Sequence, residues 1–267
     1  MSGIDLRGLK PPYLIHVDTF RSIDLAIKHL GKEVALSNLA SSHFEALCYF
    51  FGKENIIIPA FNYDFPKTGF FSCARTPIHV GQLPNHILDR ALLNRTPTPI
   101  FSFLTDISEL RGITKKPFSD GSVFDFIRKE NGSIIFYGTD IKSCTYLHYV
   151  EDILGPPLYR YDKNFSGVVD YGDSCEEAEI QLHVRPAGLA IDYDWAFLDR
   201  TLDRHNAKVK LSASTFGINA QTLFELWGER FSENQLQFLD SKSRETISTH
   251  LNQRNLRLRR EDFEVQL

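Results

Sequence analysis

A histidine and a carboxylate three residues apart, His148 and Glu151, stand just beyond a polar loop running from Gly138 to Thr145. On a helix, positions i and i+3 share a face, so Glu151 can accept a hydrogen bond from one ring nitrogen of His148. That fixes the tautomer and leaves the other nitrogen free to take a proton. A histidine in the first helical turn also lies near the positive end of the dipole, which disfavours imidazolium and keeps the ring neutral, as a general base requires. The carboxylate pulls the ring's pKa the other way. The same spacing suits a histidine packed under the helix with Glu151 on the surface, so the pattern alone leaves both readings open.

Two further segments present polar groups at strand ends. Ile56-Ile57-Ile58-Pro59-Ala60-Phe61-Asn62-Tyr63-Asp64-Phe65 runs from an apolar strand into an aromatic loop whose Asn62 and Asp64 can meet a polar ligand or simply brace a turn. Arg95-Thr96-Pro97-Thr98-Pro99-Ile100-Phe101-Ser102-Phe103 is held extended by its prolines and could pair with an extended ligand. Arg75, Arg95 and the Lys115-Lys116 pair are the local cations available to a phosphate. Cys144, four residues before His148, reads as a buried inert thiol rather than a nucleophile. No dinucleotide fingerprint, P-loop, HExxH or GxSxG occurs, and His79 and His86 lack metal-ligand spacing, so no metal is expected.

The elements that must hold these residues alternate. Tyr13-Leu14-Ile15-His16-Val17 is a buried strand; a helix follows with Ile23, Ala26, Ile27 and Leu30 on one face, Ser22 able to cap it and Gly31 to stop it. The pattern repeats with a helix over Ser42 to Phe51 ended by Gly52, the strand Ile56 to Ile58, a helix after Asp120-Gly121-Ser122, and the strand Ser133 to Tyr137. After Pro156-Pro157, Ile180, Leu182 and Val184 alternate with polar residues, as in a strand with one wet face. Gln221 to Trp227 and Asn234 to Leu239 read as helical, and the mixed charges from Arg254 to Asp262 as a solvated helix face. Together these predict an α/β protein: three layers, α/β/α, around a mixed central sheet, with an antiparallel addition in the C-terminal half.

With 267 residues and neither a repeat nor an obvious linker, one continuous domain over 1–267 is expected. A net charge of −4 and a pI near 6.1 argue against a nucleic-acid partner but allow a small anionic ligand bound by a few placed cations. The charged stretch Met1 to Lys10 does not read as a signal peptide, no window reads as a membrane span, and the four separated cysteines read as reduced, mostly buried thiols. These point to the cytoplasm.

The ordered set Leu14-Ile15-His16-Val17-Asp18, Ile58 to Phe65, Gly81-Gln82-Leu83-Pro84, Arg95 to Phe103, Phe118 to Phe124 and Thr145 to Glu151 resembles the aminoglycoside 3-N-acetyltransferase family across most of the chain. The resemblance implies an enzyme that moves an acyl group from acetyl-CoA or another acyl-CoA to a sugar amine. In the T-x-x-H-x-x-E motif it implies His148 as the base, with Thr145 and Glu151 completing the catalytic set. It implies that Arg95, Thr96, Ser102 and Phe103 lie against the coenzyme. The acceptor would be met by His16, Asp18, Phe61, Asn62, Tyr63 and Asp64.

Two departures steer the acceptor. Thr98 stands where antibiotic-modifying members usually carry a histidine, and His16-Val17-Asp18 replaces the usual His-Ser-Ser. Both point to the amino-sugar branch, a nucleotide-linked amino sugar for surface polysaccharide synthesis, with aminoglycoside acetylation as the alternative and a silent sugar-binding protein as a third reading. An acidic pocket would suit the polycationic drug; a pocket with Arg or Lys and aromatic rings would suit the nucleotide sugar. A homo-oligomer stays open.

Overall fold

The computed structural model describes residues 4–253 and 258–264. The strands in chain order are β1 (Tyr13–Val17), β2 (Ile56–Pro59), β3 (Phe70–Ser72), β4 (Phe103–Leu104), β5 (Ser133–Tyr137), β6 (Tyr161–Asp170), β7 (Cys175–Val184), β8 (Val209–Lys210) and β9 (Thr215–Asn219). The helices are α1 (Ile23–Leu30), α2 (Lys32–Ser37), α3 (Leu39–Phe51), α4 (Phe65–Thr68), α5 (Gln82–Asp89), α6 (Val123–Lys129), α7 (Tyr146–Ile153), α8 (Trp195–Arg204), α9 (Ala220–Glu233) and α10 (Ser241–Gln253).

The central sheet has the order β4-β2-β1-β5-β9-β8. β1 pairs in parallel with β2 and with β5, while β4, β9 and β8 join antiparallel, so the sheet is mixed as expected. Its inner strands are apolar on both faces because both are covered. Leu14, Ile134 and Phe136 pack into one cluster with residues of α6 to α9; Tyr13, Ile15, Ile135 and Tyr137 pack into another with residues of α1, α3 and α5. This gives the three layers. The antiparallel addition is the long hairpin of β6 and β7, and the short β3 from the N-terminal half joins it in parallel to β6.

Several expectations change in detail. Ser22 does not cap α1 through its side chain; its hydroxyl donates to the Asp18 carbonyl at 2.7 Å and so ties down the loop leaving β1. The helix expected from Ser42 begins at Leu39, because the Asn38 side chain accepts from the Ser41 amide. The Arg95–Phe103 stretch is not extended throughout, since Ile100 has φ +69°, and it pairs within the protein: Ala60 and Asn62 donate their amides to the carbonyls of Ser102 and Ile100. Asn234 to Leu239 holds a short 3-10 helix, Gln235–Phe238. Of the cysteines only Cys144 is buried; Cys48 and Cys73 are half-buried and Cys175 is exposed, since it opens the wet strand β7. Positions 1–3 of the expected charged N-terminus and 254–257 of the charged tail lie outside the described residues. Among the described residues no helix is long and apolar enough to cross a membrane, and no group of His, Cys, Asp and Glu could hold a metal ion.

Candidate active site

The site forms where β1, β2 and β5 end. Gly138, the residue after β5, has φ +72°, and a Cβ there would strike the Asp18 carbonyl and the Ser22 backbone, so only glycine lets the loops leaving β1 and β5 close together. A 3-10 turn, Ile141–Ser143, follows, with the Asp140 side chain accepting from the Lys142 amide. Thr145 then occupies the N-cap position of α7. Tyr146, Leu147, Tyr149 and Val150 lock the helix into the core, which fixes the direction of His148.

His148 Nδ1 donates to Glu151 Oε2 at 3.0 Å, which leaves Nε2 as the basic atom. Glu151 is not on the surface: its side chain is 2% exposed, against 26% for the histidine. Tyr159 and Tyr193 donate their hydroxyls to Glu151 Oε1 at 2.5 and 2.7 Å. Arg160 Nε lies 3.7 Å from Oε2, and the same guanidinium donates to Tyr193 Oη at 2.7 Å and to the His183 carbonyl at 3.1 Å.

The electrostatics follow from this packing. Burial alone would raise the Glu151 carboxyl, but Arg160 and the hydrogen bonds from His148 and Tyr159 overcome it and hold the pKa at about 2. Burial, then the charge of Arg160, push His148 below its ordinary value despite Glu151's pull upward. The ring is therefore neutral at pH 7. Desolvation and a buried cation, rather than the helix dipole expected from the sequence, keep it so.

His148 opens onto a cavity of about 210 Å³ walled by Phe101, Phe118, Arg160, His183 and Arg185. Phe118 stands edge-on to the His148 ring, with centroids 5.1 Å apart. A second cavity, about 270 Å³, is walled by His16, Phe61, Tyr63, Pro84, Ser143 and Thr145. The two share a partition: Thr145 lines one and His148, a turn further along α7, lines the other. Phe61 and Phe101, one in each, meet edge to face at 5.1 Å. Two buried polar atoms of the second cavity's wall, His16 Nε2 and Thr145 Oγ1, have no hydrogen-bond partner among the described residues. Burial drives His16 down to about 3, so it too is neutral.

The remaining expected residues line neither of these two cavities and make their contacts within the protein, although Arg95 walls a further cavity of about 390 Å³ with Pro97 and Arg111. Arg95, foreseen at the coenzyme's phosphates, is 8% exposed and each of its three guanidinium nitrogens already has an acceptor: Ser102 Oγ at 2.9 Å, the Ala60 carbonyl at 2.7 Å and the Thr76 carbonyl. Thr96 and Phe103 bond to one another through backbone and hydroxyl, and Ser102 Oγ donates to the Ala60 carbonyl. Asn62 braces its loop against Asp64, Pro77 and His79, while Asp18 accepts from the Phe20 amide and faces Arg21. Arg75 pairs with Asp170, and Lys115 with Glu179. Thus His148, Glu151 and Phe101 meet at one cavity, and Thr145, His16, Phe61 and Tyr63 at the other.

Sequence reasoning missed Tyr159, Arg160, Tyr193, His183 and Arg185. Tyr193 is 42 positions from the carboxylate it holds, so no local spacing could have flagged it. His183 and Arg185 come from the strand read only for its alternation and from the residue just past its end.

A mixed α/β fold that sets a neutral, carboxylate-held histidine at one cavity, with a second cavity beside it, has the arrangement of a group transferase. The profile of the family described as aminoglycoside 3-N-acetyltransferase matches residues 57–232, and the chain belongs to that family. It is an N-acyltransferase with acetyl-CoA as co-substrate. Among solved structures it is similar to "AAC-IIIb binary with CoASH", at TM-score 0.66 and 15% identity over 86% of this chain and 94% of that one. YokD from Bacillus subtilis gives 0.62 and 15% over 85% and 95%. An AAC(3)-IVa mutant in complex with a gentamicin gives 0.61 and 15% over 86% and 86%. No curated protein matches the chain in sequence. Nothing in these comparisons supports the nucleotide-sugar branch expected from the departures at Thr98 and His16.

Proposed function

We propose that the protein, acting as one cytoplasmic domain, transfers an acetyl or short acyl group from acyl-CoA directly to the amine of an amino sugar. The observation that carries this is the placement of His148, held by Glu151, on the partition between two cavities. The acyl-pantetheine arm occupies the second cavity, where His16 Nε2 and Thr145 Oγ1 are free to meet its polar groups. This moves His16, Phe61 and Tyr63 from the acceptor, where the sequence put them, to the donor. Thr96, Ser102 and Phe103 shape the wall behind them. The acceptor amine enters the first cavity.

The amine nitrogen attacks the thioester carbon as His148 Nε2 takes its proton; the C–S bond breaks, and the imidazolium returns that proton to the leaving thiolate. Glu151 stabilises the imidazolium that forms in between. Positioning two substrates in attack geometry can contribute about 7 to 11 kcal/mol, and a placed base a further ~10²- to 10⁴-fold. For the acceptor, the gentamicin bound in the AAC(3)-IVa complex supports an aminoglycoside. The test is release of coenzyme thiol from acetyl-CoA on addition of an amino sugar, by the wild type and by His148→Ala. Turnover that survives the substitution unchanged removes His148 from the reaction; no turnover with any amine favours the silent sugar-binding reading.

A further inference from the structure

An ionised carboxylate has lone pairs and no proton to give, so its hydrogen-bond partners must all arrive as donors. Glu151 shares its own unevenly. Oε2 takes the Nδ1 proton of His148 at 3.0 Å and faces Arg160 Nε at 3.7 Å, while Oε1 takes the hydroxyls of Tyr159 at 2.5 Å and Tyr193 at 2.7 Å. The direction of the Tyr193 proton is dictated by its neighbours. The Arg160 guanidinium can only donate, and at 2.7 Å it occupies a lone pair of Tyr193 Oη. His148 Nδ1, 3.4 Å from the same oxygen, spends its proton on Glu151 and has nothing to accept with. The Tyr193 proton is left with Oε1. Both tyrosines pack into the main hydrophobic cluster and line neither of the two cavities, so their hydroxyls are not there to meet a substrate.

The chain brings these hydroxyls in from two separate places. Tyr159 lies between α7 and β6; Tyr193 lies between β7 and α8, where its amide donates to the Asp192 side chain at 2.8 Å and its backbone bridges to Leu239. What they do for a base follows from its two tasks. His148 must take a proton from the amine and then let it go to the thiolate. A buried carboxylate with no other donor would hold the imidazolium tightly and keep the proton there; each donor on Oε1 disperses the negative charge and loosens that hold. The other charged and titratable groups around the pair are Arg160 ahead of β6, His183 and Arg185 on the cavity wall, and Asp152 and Asp162, both engaged by His183. The bonds to Oε1 come from the tyrosines.

We infer that Tyr159 and Tyr193 are positioning residues of the transfer: their hydroxyls occupy Glu151 Oε1, so that Oε2 alone orients His148, and they loosen the carboxylate's hold on the imidazolium so that its proton passes on to the leaving thiolate. For its effect on turnover the inference rests on the proposed acyl transfer; the effect on the histidine itself does not. Tyr193 has a second task. By accepting from Arg160 it also fixes the guanidinium beside Glu151, so its hydroxyl counts for more than that of Tyr159.

The test uses Tyr159→Phe, Tyr193→Phe and the double variant, which keep both rings in the core and remove only the hydroxyls. Two readouts are taken: the titration of the His148 ring by NMR, its resonance assigned by its loss in His148→Ala, and the pH profile of kcat with acetyl-CoA and gentamicin. Each single variant should raise the His148 pKa, and with it the acid limb of kcat, by about half to one pH unit, and the double variant by more. On the plateau kcat should fall about three- to tenfold, more in Tyr193→Phe than in Tyr159→Phe, while KM for both substrates stays within about twofold. A His148 titration that stays in place in both single variants, or moves to lower pH, overturns the inference. So does a fall in kcat that comes with a raised KM and a lower unfolding temperature but no movement of the limb, which would make the hydroxyls structural only. A titration that moves as expected in a protein that releases no thiol with any amine supports the hold on His148 and counts against the acyl-transfer reading alone.

Discussion

Two buried arginines, Arg95 and Arg160, solve the same problem in opposite ways. Arg95 lies against carbonyls and a hydroxyl, with Phe71 4.7 Å from its guanidinium and no carboxylate in reach among the described residues; burial lowers its pKa to about 10. Its contacts join the chain after β2, the loop at Thr76 and the stretch leading to β4. Arg160 has Glu151 as counter-ion and the Tyr193 hydroxyl as acceptor, and although burial works against its charge, these neighbours raise its pKa. One cation is satisfied by architecture alone, on the wall of a cavity of about 390 Å³ that it shares with Pro97 and Arg111. The other is part of a charged network that opens onto a cavity and sets the protonation of a histidine. Burial and residue type do not distinguish the two; the partners do.

The sharpest break between these regions comes from the network itself. His148→Ala should lower kcat by about 10²- to 10⁴-fold, the span for a positioned proton acceptor. Affinity for CoA, measured calorimetrically, should hold, because the ring lines the other cavity. Arg95→Met should do the reverse. It strips the Thr76 carbonyl of its donor, at about 1 to 3 kcal/mol for a buried group left unpaired, while Ser102 Oγ and the Ala60 carbonyl keep their bond to each other. Thermal unfolding should shift down by about 2 to 4 °C per kcal/mol in a chain of this length. The protein that remains folded should keep its KM for acetyl-CoA; a large rise in KM with unchanged stability would return Arg95 to the coenzyme site.

Arg160→Met separates electrostatics from packing. In the wild type His148 titrates below 6.5, so activity, which needs the neutral ring, lies on its plateau at pH 7 and falls only on acidification below that value. Without the guanidinium one of the causes of the low value is gone while Glu151 still pulls upward. The acid limb of kcat should therefore move to higher pH. A limb that stays in place, or moves down, would show that Arg160 does not govern the base.

Much of this was written locally in the chain. The strands β1, β2 and β5 are apolar runs long enough to be buried on both faces, and the His148–Glu151 pair is a one-turn spacing that any helix brings together. The alternation of Ile180, Leu182 and Val184 gave away the hairpin. What stayed hidden is what sequence-distant segments build together. Tyr159 and Arg160 reach Glu151 because the chain folds back between α7 and β6, Tyr193 reaches it only after the chain has run through the β6–β7 hairpin, and β3 reaches β6 from the other half of the chain. The Arg95 loop is ambiguous for a different physical reason. A cation beside an extended, proline-held stretch looks the same in sequence whether its donors face a phosphate or the protein's own carbonyls.

Cys144 supplies the smallest expected effect and the last control on the comparison. It precedes Thr145 and lies near both cavities in sequence, so a covalent route through an acyl-thioester on its sulfur is the natural rival to direct attack. Its surroundings oppose that route. The side chain is 2% exposed, packs into the main hydrophobic cluster, and burial drives the thiol up to about 12, so almost no thiolate exists at pH 7. The residue lines neither of the two cavities. Cys144→Ala should leave kcat/KM unchanged and cost only a small loss of packing stability. The wild type mixed with acetyl-CoA and no acceptor should release no burst of thiol. A stoichiometric burst abolished by the substitution would establish the covalent route and reduce His148 to activating that sulfur.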